Sequence, residues 1–137
     1  MIPRIDHIGI AVESIDEARK LYEELGLEVA EIEEVPQEGV RVAMIEVGES
    51  RIELLEPTTA DSPIRKFLDR RGPGMHHLCL ASDALAEDDR RLRDGGYPLL
   101  RDKATRGAGG CWVHFVHPKS SGGVLLELSQ PGEEPAE

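Results

Sequence analysis

Two histidines and two glutamates stand at repeated places in this 137-residue chain. DHIGIAV (6–12) is nearly restated as HHLCLAS (76–82), 70 positions later, and Glu53 in RIELLE has its counterpart at Glu127 in VLLELS, 74 positions later. Side chains alternate across a strand, so His7 shares a face with Gly9 and Ala11 while Ile8, Ile10 and Val12 point the other way. His77 does the same with Cys79 and Ala81, opposite Leu78 and Leu80. If Ile52 and Leu54 face the core, Glu53 lies on the other side, and Leu126 and Leu128 place Glu127 likewise. A carboxylate among leucines is costly unless something pairs with it. Arg51 can neutralise Glu53 as a structural salt bridge. No lysine or arginine alternates onto the faces of His77 or Glu127. Two imidazoles and two carboxylates, −2 in total, suit a divalent ion such as Co²⁺, Ni²⁺, Mn²⁺ or Zn²⁺, with positions left for water or substrate oxygens.

The elements that must hold these residues are written twice. Ser14-Ile-Asp-Glu17 is a capping-box pattern, and Ile15, Ala18, Leu21, Tyr22 and Leu25 follow it at helical spacing until Gly26. Strands are expected at 27–34, 40–47 and 50–56, the last two joined by a tight turn at Gly48-Glu49. Asp61-Ser62-Pro63 then caps a linker helix at about 62–71, with Ile64, Phe67 and Leu68 as its apolar face. The pattern restarts with a strand at 76–82, a helix at about 84–94 closed by Gly95-Gly96, and strands at 97–101, 111–117 and 123–129. The expected fold is therefore α+β: a single domain over 1–130 made of two βαβββ modules, about 4–58 and 74–130. If their strands combine into one cupped mixed sheet, His7, Glu53, His77 and Glu127 converge. The tail, 131–137, is acidic and without periodicity, and is expected to be disordered.

Composition narrows the function. A net charge of −11, from 27 acids and 16 bases, argues against nucleic acid as a partner. The apolar runs are too short to span a bilayer, and the start lacks the pattern of a secretory signal, so a cytoplasmic location is expected. Cys79 and Cys111, both among apolar residues and outside any CxxC pair, are expected to be buried free thiols.

Beyond these readings, the stretch from about 4 to 129 resembles the vicinal oxygen chelate (glyoxalase-like) superfamily and, within it, the methylmalonyl-CoA epimerase family. The resemblance rests on DHIGIAV, IELLEPTTADSPIRKFL, GPGMHHLCL and HPKSSGGVLLEL. It implies a cupped sheet around a metal site, one divalent ion per chain with Co²⁺ favoured, and a homodimer. The family's ligands fall on His7, Glu53, His77 and Glu127; His76, next to the third, is on the opposite face. Some members carry glutamine at the second ligand, and Glu53 matches the glutamate of others. The implied activity interconverts the (R) and (S) C2 epimers of methylmalonyl-CoA through a metal-stabilised enolate. Where some members place a catalytic glutamate on the third strand, this chain has Val42. Glu46, on the same strand face, and Glu127 are then the expected acid–base pair. Lys66, Arg106 and Lys119, with Arg70, Arg71 and Lys103, are the cations available to the CoA phosphates. The alternatives are a glyoxalase I-type lactoylglutathione lyase, whose ligand pattern fits the same four positions, and a metal-free small-molecule binding module of the same fold. Extradiol dioxygenases share the fold but use two histidines and one glutamate for iron.

Overall fold

The computed structural model describes residues 1–135 and divides the chain into two compact units. One is His7–His76; the other joins Met1–Asp6 to the chain from His77 onward. Each carries a βαβββ module, which makes the fold α+β.

The first module runs β1 (Arg4–Ala11), α1 (Ile15–Glu24), β2 (Glu33–Val35), β3 (Val40–Val47) and β4 (Ser50–Pro57), and α2 (Pro63–Arg71) follows it. Its strand order is β2-β3-β4-β1, with β1 parallel to β4 and the other pairs antiparallel. Ser14 caps α1 by accepting the Glu17 amide at 3.2 Å, a contact that contributes about 1 kcal/mol. The core is Val12, Ile15, Ala43, Ile45 and Leu54, with Ala18 and Tyr22 of α1 packed on it. Leu21 and Leu25 are exposed instead; Leu21 sits about 120° round the helix from Ile15, outside the packed stripe. At the β3–β4 turn Gly48 takes a left-handed φ of 61°, which glycine adopts without steric cost.

The second module runs β5 (Gly74–Ala81), α3 (Leu85–Asp94), β6 (Thr105–Arg106), β7 (Trp112–Val116) and β8 (Leu125–Gln130). Its order is β5-β8-β7-β6, again with one parallel pair, β5 with β8. β1 and β5, and α1 and α3, occupy the same places 70 residues apart. The likeness reaches single bonds: the first amide of α1, Ile15 N–H, donates to Glu56 at 2.9 Å, and the first amide of α3, Leu85 N–H, donates to Gln130 at 2.7 Å. In each module a side chain from the last strand thus satisfies a helix N-terminus that would otherwise lack a partner.

Two expected strands are shorter than the sequence suggests. Residues 27–34 give only a bridge, Val29 with Ile45, before β2 begins. The outer strand spends one residue more than β3 between bridge and β2, as a bulge does. Residues 97–101 form no strand, because Pro98 has no N–H to give to a ladder. Its carbonyl accepts from His117, Leu99 bridges Val116, and the short β6 lies further on at Thr105–Arg106. Past β8, Pro131–Pro135 carries no regular element, and the Gly132 carbonyl accepts from the Trp112 indole at 3.2 Å. The expected disorder of 136 and 137 falls outside the described residues. Among the described residues no helix is long and apolar enough to cross a membrane.

Cys79 is buried, Cys111 is half-buried, and both carry free thiols. Thiol titration of the denatured, unreduced protein should therefore return two groups per chain; a value near zero would show a disulfide that this geometry lacks.

Candidate functional site

In the first module the core face of β1, β3 and β4 is taken up by packing on α1, so the alternate residues emerge on the other face. The register sets Glu53 beside Gly9 on one side and Met44 on the other, and sets Arg51 beside His7 and Glu46. His7 and Glu53 are 6% and 3% exposed. His7 Nδ1 lies 3.3 Å from Glu53 Oε2, and Arg51 Nη2 lies 3.3 Å from the same oxygen.

The second module repeats the pair. His77 and Glu127 are 8% and 6% exposed, and His77 Nε2 lies 3.4 Å from Glu127 Oε1. Glu127 sits in register between Cys79 and Phe115. The Phe115 and His77 rings form a T-shaped pair, with centroids 6.4 Å apart. Phe115 was open to discovery by alternation, since it pairs with Glu127, but no polar group drew attention to it.

Histidines outside these pairs have other employment. His76 packs edge-on against Phe67 of α2 at 5.1 Å, so it is turned to the helix. His114, buried on β7 with Nε2 3.5 Å from Asp89 of α3, has its imidazole pKa pushed down by burial, against the opposing pull of the Asp89 charge. It borders a cavity of about 220 Å³ with Leu85, Asp89 and Lys103. His117 accepts the Lys119 amide through Nδ1 and shapes the turn before β8.

Each His–Glu pair has the spacing a metal needs. Donors about 2.1 Å from an ion stand roughly 3.0 Å apart at octahedral corners and roughly 3.4 Å apart at tetrahedral ones, which brackets the 3.3 and 3.4 Å separations here. Nitrogen and carboxylate donors suit a borderline divalent ion.

The remaining expected residues are spread more widely. Glu46 is exposed near the end of β3, opposite Arg51, while Val42 is buried. Lys66, Arg70, Arg71, Lys103, Arg106 and Lys119 are all exposed. Arg71 lies over Phe67, and Arg106 lies 4.7 Å from the Trp112 ring centre and donates to the Gly110 carbonyl at 2.7 Å.

Comparison with known proteins agrees with this architecture. Residues 6–115 match the model of the Glyoxalase/Bleomycin resistance protein/Dioxygenase superfamily. The ethylmalonyl-CoA/methylmalonyl-CoA epimerase of Cereibacter sphaeroides is 39% identical over 133 residues, 95% of this chain and 99% of that protein. The crystal structure of methylmalonyl-CoA epimerase from Mycobacterium tuberculosis superposes with a TM-score of 0.92 at 38% identity, over 96% of this chain and 90% of the other. A variant of the Streptomyces coelicolor methylmalonyl-CoA epimerase, in complex with 2-nitronate-propionyl-CoA, gives a TM-score of 0.92 at 36% identity, with both chains covered in full. The repeated βαβββ modules, the His–Glu pair in each and these likenesses together show that the chain belongs to the Glyoxalase/Bleomycin resistance protein/Dioxygenase superfamily and, within it, to the methylmalonyl-CoA epimerase family.

Proposed function

We propose that this chain interconverts the (R) and (S) epimers of methylmalonyl-CoA by removing and returning the proton at C2, between the thioester and the carboxylate. The observation that carries the reading is family membership along nearly the whole chain; the buried His–Glu pair in each module supports it. In this reading His7, Glu53, His77 and Glu127 hold one divalent ion, Co²⁺ by family resemblance, with Ni²⁺, Mn²⁺ and Zn²⁺ also suited to the donors. When bound, the ion supplies Lewis-acid stabilisation of the negative charge that develops on the thioester oxygen.

Inversion at C2 needs a proton carrier on each side of the planar intermediate. We assign Glu127 to one side. Its burial beside His77 makes a carboxylate that solvent screens little. We assign Glu46 to the other, since Val42 on the same strand face has no proton to exchange. Lys66, Arg106 and Lys119 are the proposed partners of the CoA phosphates, with the Arg106 stack on Trp112 as a ready platform for a planar group. A cytoplasmic homodimer completes the proposal.

The test measures hydrogen–deuterium exchange at C2 of methylmalonyl-CoA beside turnover of the hemithioacetal of methylglyoxal and glutathione. Exchange with epimerisation, and no hemithioacetal turnover, is the expected result. The reverse would make the chain a lactoylglutathione lyase. Neither activity after exposure to metal would leave a binding module.

A further inference from the structure

We propose that Arg51 is a positioning residue which balances the charge of the first module's ligand pair, so that Glu53 and Arg51 together act as a nearly neutral oxygen donor. The inference rests on the reading of His7 and Glu53 as metal ligands.

Arg51 and Glu53 are two residues apart on β4, and so share a face. The guanidinium reaches Glu53 Oε2 at 3.3 Å, and His7 Nδ1 approaches that oxygen at the same distance. One carboxylate oxygen is thus approached by both groups. The surroundings differ in solvent access: the Arg51 side chain is 25% exposed, that of Glu53 only 3%. The positive charge is thus more open to solvent than the carboxylate it pairs with, and lies on the same face as Glu46, its neighbour in register.

Two carboxylates and two neutral imidazoles sum to −2, and a divalent ion brings the set to zero. A substrate that carries its own carboxylate, and gains further negative charge as C2 loses its proton, would meet no net attraction there. Arg51 brings the ion and its four ligands to +1, and partly offsets the charge of Glu46, its neighbour in register. Its effects on the two partners must then have opposite signs: it repels the cation and attracts the anion. A side chain that only braced the strand would give no such division.

The experiment titrates the metal-stripped protein with Co²⁺ alone by calorimetry and, separately, measures KM and kcat for methylmalonyl-CoA with the ion in excess. Arg51→Gln should bind Co²⁺ more tightly, by up to about tenfold, while KM rises by about tenfold. Arg51→Lys, which keeps the charge, should stay near wild type in both. Arg51→Gln combined with Glu53→Gln removes one charge of each sign and should bring KM back to within about threefold of wild type. If wild type takes up Co²⁺ but Arg51→Gln leaves that affinity unchanged or weakens it, the inference about Arg51 is overturned and the ligand reading stands. If wild type takes up no divalent ion, the ligand reading fails and this inference with it.

Discussion

Replacing Glu127 with glutamine lowers the epimerisation of methylmalonyl-CoA by at least about two orders of magnitude with the ion site saturated, the usual scale for loss of a general acid or base. Glutamine keeps the size and one oxygen donor but loses the charge and nearly all the basicity. It also keeps a group beside His77 Nε2, 3.4 Å away in the native pair, so the strand should remain packed against Phe115. The measurement pairs epimerisation with C2 deuterium exchange, at a Co²⁺ concentration raised until activity no longer changes. Loss of both is the strongest form of the result. Exchange that persists without inversion would mean that Glu46 still works from the other side. Epimerisation near the wild-type rate would remove Glu127 from proton transfer and leave it a ligand only.

His77→Ala should abolish stoichiometric uptake of the ion, whereas His76→Ala should leave it largely intact. The two histidines are sequence neighbours and therefore lie on opposite faces of β5. His77 is held against Glu127 and Phe115, and His76 against Phe67. The second substitution should still have a cost, because the edge-to-ring contact with Phe67 contributes about 0.5–1.5 kcal/mol, visible as a modest fall in Tm. Metal analysis after gel filtration, beside thermal melts of both variants, separates the two roles. The opposite pattern of metal loss would show that the strand register is slipped by one residue.

The reach of the sequence can be judged residue by residue. The His–Glu pair of each module was legible because a strand's alternation is strict: leucine and isoleucine at 52, 54, 126 and 128 leave the glutamates no choice of face. The starts of α1 and α2 were legible because Ser14 and Ser62 cap where their side chains predict. The outer-strand positions were less so. A bulge is one residue more on one strand than on its partner, and nothing in Glu28–Glu34 marks where it falls. At 97–101 the signal was present in Pro98 and was outweighed by the apolar residues around it. The bonds from Ile15 and Leu85 to Glu56 and Gln130 were hidden for another reason, since they join residues more than 40 positions apart whose types, one acid and one amide, share only an acceptor oxygen. Arg51 was visible only as an alternative to metal binding, and in the structure both Arg51 and His7 lie 3.3 Å from one Glu53 oxygen.

The outer strands β2 and β6 are three and two residues long, and Glu33 and Glu34 fill most of the first. A sheet that ended on a full-length flat strand would present a row of backbone donors and acceptors as a template for another chain. Here each outer margin is broken by irregular chain before it can offer more than a few groups, and one of them is also negatively charged. The imperfection at each border thus guards against uncontrolled strand-to-strand growth, a defence against fibrous aggregation that a more regular outer strand would forfeit.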